Sequence, residues 1–281
     1  MFPKIALHVS LWGDDWSIVQ WANAEEKEIA NLRSIFDAAM NAGLNFWMAD
    51  WSAYGKSEEL LGAFLKTVQR EDYYLSSEFK PAMSGLASKE YAAPSDEASD
   101  KMFAASARRL HTIFFNVYWL NRYYEAWLGQ LMGYAKAGRI ERIGLYSSSL
   151  EYVQERWEVL RAEGLDAPAV RGRYSFFDRK AESSGLLEWC EDHYTKFFAG
   201  LSYEDYEKCK ELDKIPEFTE IAKAHDLTTL QVVYSWAVAK GAVPIMSANS
   251  LGSIDKAVRI ANAELRADEI TALENITKEM H

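Results

Sequence analysis

A histidine, two carboxylates and an arginine stand at or near the ends of short apolar runs. His8 lies in 5–9, Asp50 just after 44–48, Glu78 in 73–79 and Arg171 in 169–174. Aromatic residues accompany them: Trp47, Trp51 and Tyr54 around Asp50, Trp119 beside Asn121, and Tyr146 at the end of 140–146. A carboxylate in an apolar, aromatic pocket gains basicity. His8 beside Asp50 or Glu78 would be an imidazole oriented by a carboxylate. Arg171 or Tyr54 could meet developing negative charge. Trp47, Trp51 and Trp119 could form a platform for a flat ligand, with Asn121 and Tyr146 completing the lining. The base stays open among Asp50, Glu78 and His8. Plain structural readings compete: Glu78 and Arg171 as a buried ion pair, His8 as a satisfied core histidine, Asp50 as a turn cap. One histidine and no ligand spacing argue against a metal centre.

These residues meet only if the elements around them bring strand ends together. Eight apolar runs fit strands: 5–9, 44–48, 73–79, 113–120, 140–146, 169–174, 195–201 and 243–246. Helical periodicity fills the intervals, over 24–41, 57–69, 95–110, 124–137, 150–163, 182–192, 215–225 and 228–240, with 250–261 and 267–278 at the end. Gly43, Gly138, Gly164 and Gly241 stand where helices should stop. Ser57 with Glu58 and Glu59 reads as a solvated helix start, the hydroxyl capping N–H groups. Strands that are continuously apolar, not alternating, are parallel and buried on both faces. Eight such repeats predict a (β/α)8 barrel in one domain over 1–281, with chemistry at the C-terminal strand ends. The open doubly wound sheet lacks its fingerprint, since no strand precedes Gly-x-Gly-x-x-Gly. Lys196, early in its strand, belongs at the barrel floor or rim.

The composition narrows the partners. A net charge of −11 on 281 residues argues against nucleic acid. No apolar run approaches ~18 residues, so no membrane span is expected. Cys190 and Cys209 read as two reduced thiols, and the N-terminus has no signal-peptide pattern; both suit a cytoplasmic protein. The expected partner is a small-molecule ligand.

The frame Gly43-Leu44-Asn45-Phe46, followed by Tyr54-Gly55-Lys56-Ser57-Glu58-Glu59-Leu60-Leu61-Gly62, resembles the second β/α unit of the aldo-keto reductases. Arg70-Glu71-Asp72-Tyr73, Val117-Tyr118-Trp119-Leu120, Gly138-Arg139-Ile140, Tyr174-Ser175 and Val243-Pro244-Ile245 extend the resemblance over nearly the whole chain. It implies NADPH-dependent carbonyl reduction by Tyr, Lys, Asp and His. Only the tyrosine carries over, at Tyr54. Glu78 stands for the lysine, Asn121 for the histidine, and Met48 or Ala49 for the aspartate. The cofactor handles differ too: Tyr146-Ser147 for a Ser-Asn pair, Arg171 for a glutamine and Gly200 for the stacking aromatic. The loop at 202–214 is short, and 247–250 carries no cation for the 2′-phosphate. A lone tyrosine, with a pKa of ~10, is a poor acid at neutral pH. The sequence therefore leads to the expectation of a barrel repurposed, naturally or by design, as a cofactor-independent acid/base catalyst of elimination, isomerisation or hydrolysis. No cofactor is expected on that reading. A diverged NADPH-dependent reductase using Tyr54 and a non-catalytic binding barrel are the alternatives.

Overall fold

The computed structural model describes residues 3–13, 26–50, 55–78, 96–120 and 127–279. In chain order these give β1 (Ala6–His8), α1 (Glu26–Asn41), β2 (Phe46–Met48), α2 (Lys56–Leu65), β3 (Tyr74–Glu78) and α3 (Asp96–Arg109). There follow β4 (Phe115–Leu120), α4 (Leu128–Lys136), β5 (Ile140–Tyr146), α5 (Leu150–Ala162), β6 (Ala169–Arg173), α6 (Lys180–Ser183) and α7 (Leu186–Asp192). The last third holds β7 (Phe197–Gly200), α8 (Tyr203–Cys209), α9 (Pro216–Ala224), α10 (Thr229–Ala239), β8 (Val243–Ser247), α11 (Leu251–Asn262) and α12 (Ala267–Glu279). The strands close in sequence order, all parallel, with β8 returning to β1 through Ala6↔Ile245 and His8↔Ser247. The chain forms the expected (β/α)8 barrel.

Each strand buries both faces, which is why it reads as an apolar run. Ala6, Phe46, Met48, Val117, Trp119, Ala169, Phe198 and Val243 fill the barrel interior. Phe198 packs on Phe46 at 5.0 Å and meets Trp119 edge-on at 5.2 Å. Gly144, the register partner of Trp119, makes room for the indole: a Cβ there would lie 2.2 Å from Trp119 Cε3. The alternate residues point outward to the helices. Trp47 stacks on Phe36 of α1 at 4.9 Å and donates its indole N–H to Met40 Sδ. A buried side chain of this size contributes about 1.5–3 kcal/mol.

The helix-stopping glycines Gly43, Gly138, Gly164 and Gly241 all take positive φ, as read from the sequence. Three expectations are corrected. The helix expected over 182–192 is two, because Gly185 at φ 79 interrupts it. The stretch 202–214 contains α8, capped by the Ser202 side chain accepting from the Asp205 N–H. At α2, Gly55 in a left-handed conformation precedes the helix and no side chain caps it; Ser57 instead donates to the Asp50 carbonyl at 3.0 Å. Among the described residues no helix is long and apolar enough to cross a membrane.

Candidate active site

The strand ends bring four of the expected side chains into two pairs at the barrel mouth. His8, ending β1, places Nε2 3.4 Å from Asp50 Oδ2 just beyond β2. Asp50 is 1% exposed and His8 about 15%. The other ring nitrogen, Nδ1, lies 3.1 Å from Ser10 Oγ, so the imidazole is held between a carboxylate and a hydroxyl. Asp50 is fixed from behind by the Ser57 bond to its own carbonyl. The second pair joins β3 to β6: Arg171 Nη1 donates to Glu78 Oε2 at 3.1 Å, both largely buried. Tyr146, the register partner of Arg171, lies with its ring 5.5 Å from the guanidinium carbon and stays 41% exposed. Glu78 and Arg171 thus form the ion pair that was one of the plain readings.

Other expected residues fall elsewhere. Trp47 faces α1 and not the mouth, because register puts Phe46 and Met48 on the inner face. Trp119 does face inward. Trp51, Tyr54 and Asn121 lie outside the described residues. Lys196 lines a cavity of about 190 Å³ at the floor with Tyr74, Asn116, Arg142 and Phe198. Cys190 and Cys209 are buried free thiols, pushed up to about 12 by burial, so neither is a nucleophile at neutral pH.

The sequence reading missed one cluster. Glu58 is not solvated: it is 0% exposed and accepts from Ser77 Oγ and Arg109 Nε, each at 2.6 Å. Burial pushes its carboxyl above the ordinary range, while Arg109, Ser77 and Ser106 pull it back. The guanidinium rests on the turn preceding α2, since a Cβ on Gly55 would lie 2.3 Å from Arg109 Nε. The signal was present: Glu58 shares a helical stripe with Leu61 and Leu65, at i, i+3 and i+7, and that stripe is buried. Ser10 was also missed, having no pattern of its own beyond following His8 by two.

A parallel eight-stranded barrel with paired polar groups at its C-terminal strand ends has the layout of a barrel enzyme. The aldo/keto reductase family model matches residues 10–278, and the chain belongs to that family. It is 25% identical to methylglyoxal reductase YeaE of Escherichia coli (strain K12) over 268 residues, 92% of this chain and 87% of that one. Among solved structures, the thermostable aldo-keto reductase Tm1743, crystallised with the inhibitor epalrestat, superposes with a TM-score of 0.74. It is 21% identical, covering 98% of this chain and 95% of its own. An aldo-keto reductase from Klebsiella pneumoniae in complex with NADPH gives a TM-score of 0.73 at 20% identity, covering 98% and 91%.

These findings correct two expectations. The cofactor-independent acid/base catalyst does not stand against a family of reductases with a methylglyoxal reductase as relative. Nor does the expected lack of any cofactor, since relatives of this fold are found with NADPH. Replacement of single side chains does not by itself exclude the cofactor, because the family frame extends over residues 10–278.

The residues present suit a nicotinamide at the mouth. The Trp119 indole N–H is buried and, among the described residues, donates to no acceptor, as is also true of Trp236, so it does not by itself mark a ligand. At the end of β7 the space beside Gly200 is open; a Cβ there would meet only the Gly172 carbonyl, at 3.6 Å. Tyr146 offers an exposed ring. At the β8–α11 junction the groups are uncharged: Ser247, Asn249 and Ser250, with Ser250 and Ser253 exchanging capping bonds.

Proposed function

We propose that this protein reduces small aldehydes or ketones at the barrel mouth with a nicotinamide cofactor, NADPH in the first instance. The family match over residues 10–278 carries this reading. The mouth supports it with an open strand end and two polar pairs. When bound, the cofactor supplies hydride to the carbonyl carbon. The chain must then orient the carbonyl, exclude water and deliver a proton to the oxygen. Tyr54 stands at the family's proton-donor position. The Glu78–Arg171 pair stands where the family has a lysine, its carboxylate charge offset by the guanidinium. Tyr146 presents an exposed ring at the mouth, which suits a small carbonyl compound. Methylglyoxal, the compound named for the Escherichia coli relative, is the first substrate to try.

The test is an NADPH titration of the purified protein, following quenching of its ten tryptophans, then cofactor oxidation with methylglyoxal and other short carbonyl compounds. Saturable binding with substrate-dependent oxidation is the expected result. No binding at millimolar cofactor would remove the proposal.

A further inference from the structure

We propose that the row Ser10–His8–Asp50 supplies the proton in this reduction, with His8 as the acid, Asp50 as its orienting group and the Ser10 hydroxyl as the open end. The inference rests on the reductase reading. Its grounds are geometric. The three side chains form one continuous line across β1 and β2: Asp50 Oδ2 to His8 Nε2 at 3.4 Å, and His8 Nδ1 to Ser10 Oγ at 3.1 Å. The carboxylate end is buried and the hydroxyl end half-buried, so the row runs from the barrel wall toward solvent.

The chemistry follows from ordinary proton affinities. An unperturbed tyrosine gives up its proton near pH ~10, and no lysine is present at Glu78 to lower that. An imidazole changes charge near pH ~6.5 and is the side chain suited to proton transfer at neutral pH. A carboxylate beside Nε2 fixes the orientation of the ring. When the carbonyl carbon has accepted hydride, its oxygen carries an electron pair and needs one proton. Ser10 O–H gives that proton, forming the alcohol O–H bond. The Nδ1–H of the imidazolium reprotonates Ser10 as the other bond breaks. His8 is left neutral and regains a proton from solvent, to which its side chain is 15% open. One hydride and one proton enter; one alcohol leaves.

Two readouts test this: NADPH affinity from tryptophan quenching, and kcat for carbonyl reduction. In His8→Asn and Ser10→Ala, kcat should fall by about 10²–10⁴-fold for His8 and less for Ser10, with NADPH affinity changed by no more than about threefold. Imidazole added to His8→Ala should restore part of the rate. Ser10→Ala removes only a half-buried hydroxyl, so it keeps the test alive if the His8 variants fail to fold. Full kcat in both His8→Asn and Ser10→Ala, while Tyr54→Phe abolishes turnover, would overturn the row as proton source. Rate and NADPH affinity lost in equal proportion would overturn it as well, since the row would then be part of the binding site. Failure of the unaltered protein to bind NADPH would remove the reductase reading, and the row's role with it.

Discussion

Glu58 sits in surroundings far from what its type prefers. A carboxylate with no exposure is tolerated only because Arg109 and Ser77 take its oxygens. Removing one partner of such a pair costs more than the pair contributes, because the other charge is stranded. Arg109→Met should therefore destabilise the fold by about 3–5 kcal/mol, measured by urea unfolding. The pH dependence has a definite sign. Burial raises the folded-state pKa of Glu58 above its ordinary 4.5, so the folded protein holds that proton more tightly than the unfolded chain. Its contribution is greatest below pH 4.5 and declines as pH rises through the raised value. Glu58→Gln should lose this decline, seen as a flatter urea midpoint against pH than in the parent. The Glu78–Arg171 pair at the mouth follows the same logic with a different outcome. Arg171→Met and Glu78→Gln each strand a partner, so the double variant should be more stable than the sum of the two single losses predicts. A double-mutant cycle reads this directly, with a coupling of about 0.5–3 kcal/mol expected; zero coupling would mean that the two side chains act independently.

At the scale of elements, α2 shows how closely backbone and charge are joined. A Cβ on Gly62 would sit 2.0 Å from the Arg109 carbonyl, where α3 ends against it. Backbone cannot yield as a side-chain tip can, so Gly62→Ala should cost about 1–3 kcal/mol by overpacking. Gly133 in α4 is the control: exposed, within a helix, with nothing inside 4 Å of an added Cβ. Gly133→Ala should stabilise by about 0.5–1 kcal/mol through lower unfolded-chain entropy and better helix propensity. Thermal melts of the two variants should move in opposite directions. The same element marks how far the sequence could be read. The eight strands were legible because parallel strands buried on both faces leave unbroken apolar runs, as β2 does with Phe46, Trp47 and Met48. The strand-end pairs were legible in outline, since topology alone gathers His8, Asp50, Glu78 and Arg171. What could not be read was direction: nothing local says that Trp47 turns toward Phe36 or that Glu58 turns inward. Inner and outer faces are set by register across strands far apart in the chain. Within 202–214, Ser202-x-x-Asp205 is a capping pattern, and it marks the start of α8.

For the whole molecule, the net charge sets a condition on any cofactor. At −11 the protein repels a polyanion at long range, and the β8–α11 junction offers hydroxyls and an amide where a 2′-phosphate would want a cation. Lys256 stands in the second turn of α11, exposed to solvent. Long-range repulsion and a local cationic contact respond to salt with opposite signs. Screening weakens a repulsion that acts over the whole surface, with the Debye length falling from about 30 Å at 0.01 M to about 8 Å at 0.15 M. It equally weakens a contact between phosphate and an exposed lysine. With uncharged groups lining the junction, repulsion should dominate. NADPH should bind more tightly as ionic strength rises through that range, and NADH, with less charge, should show a smaller gain in the same direction. Tryptophan quenching at a series of salt concentrations measures both. If NADPH binding weakens with salt while NADH does not, a cation is meeting the 2′-phosphate. Lys256→Gln should then abolish the difference between the two cofactors.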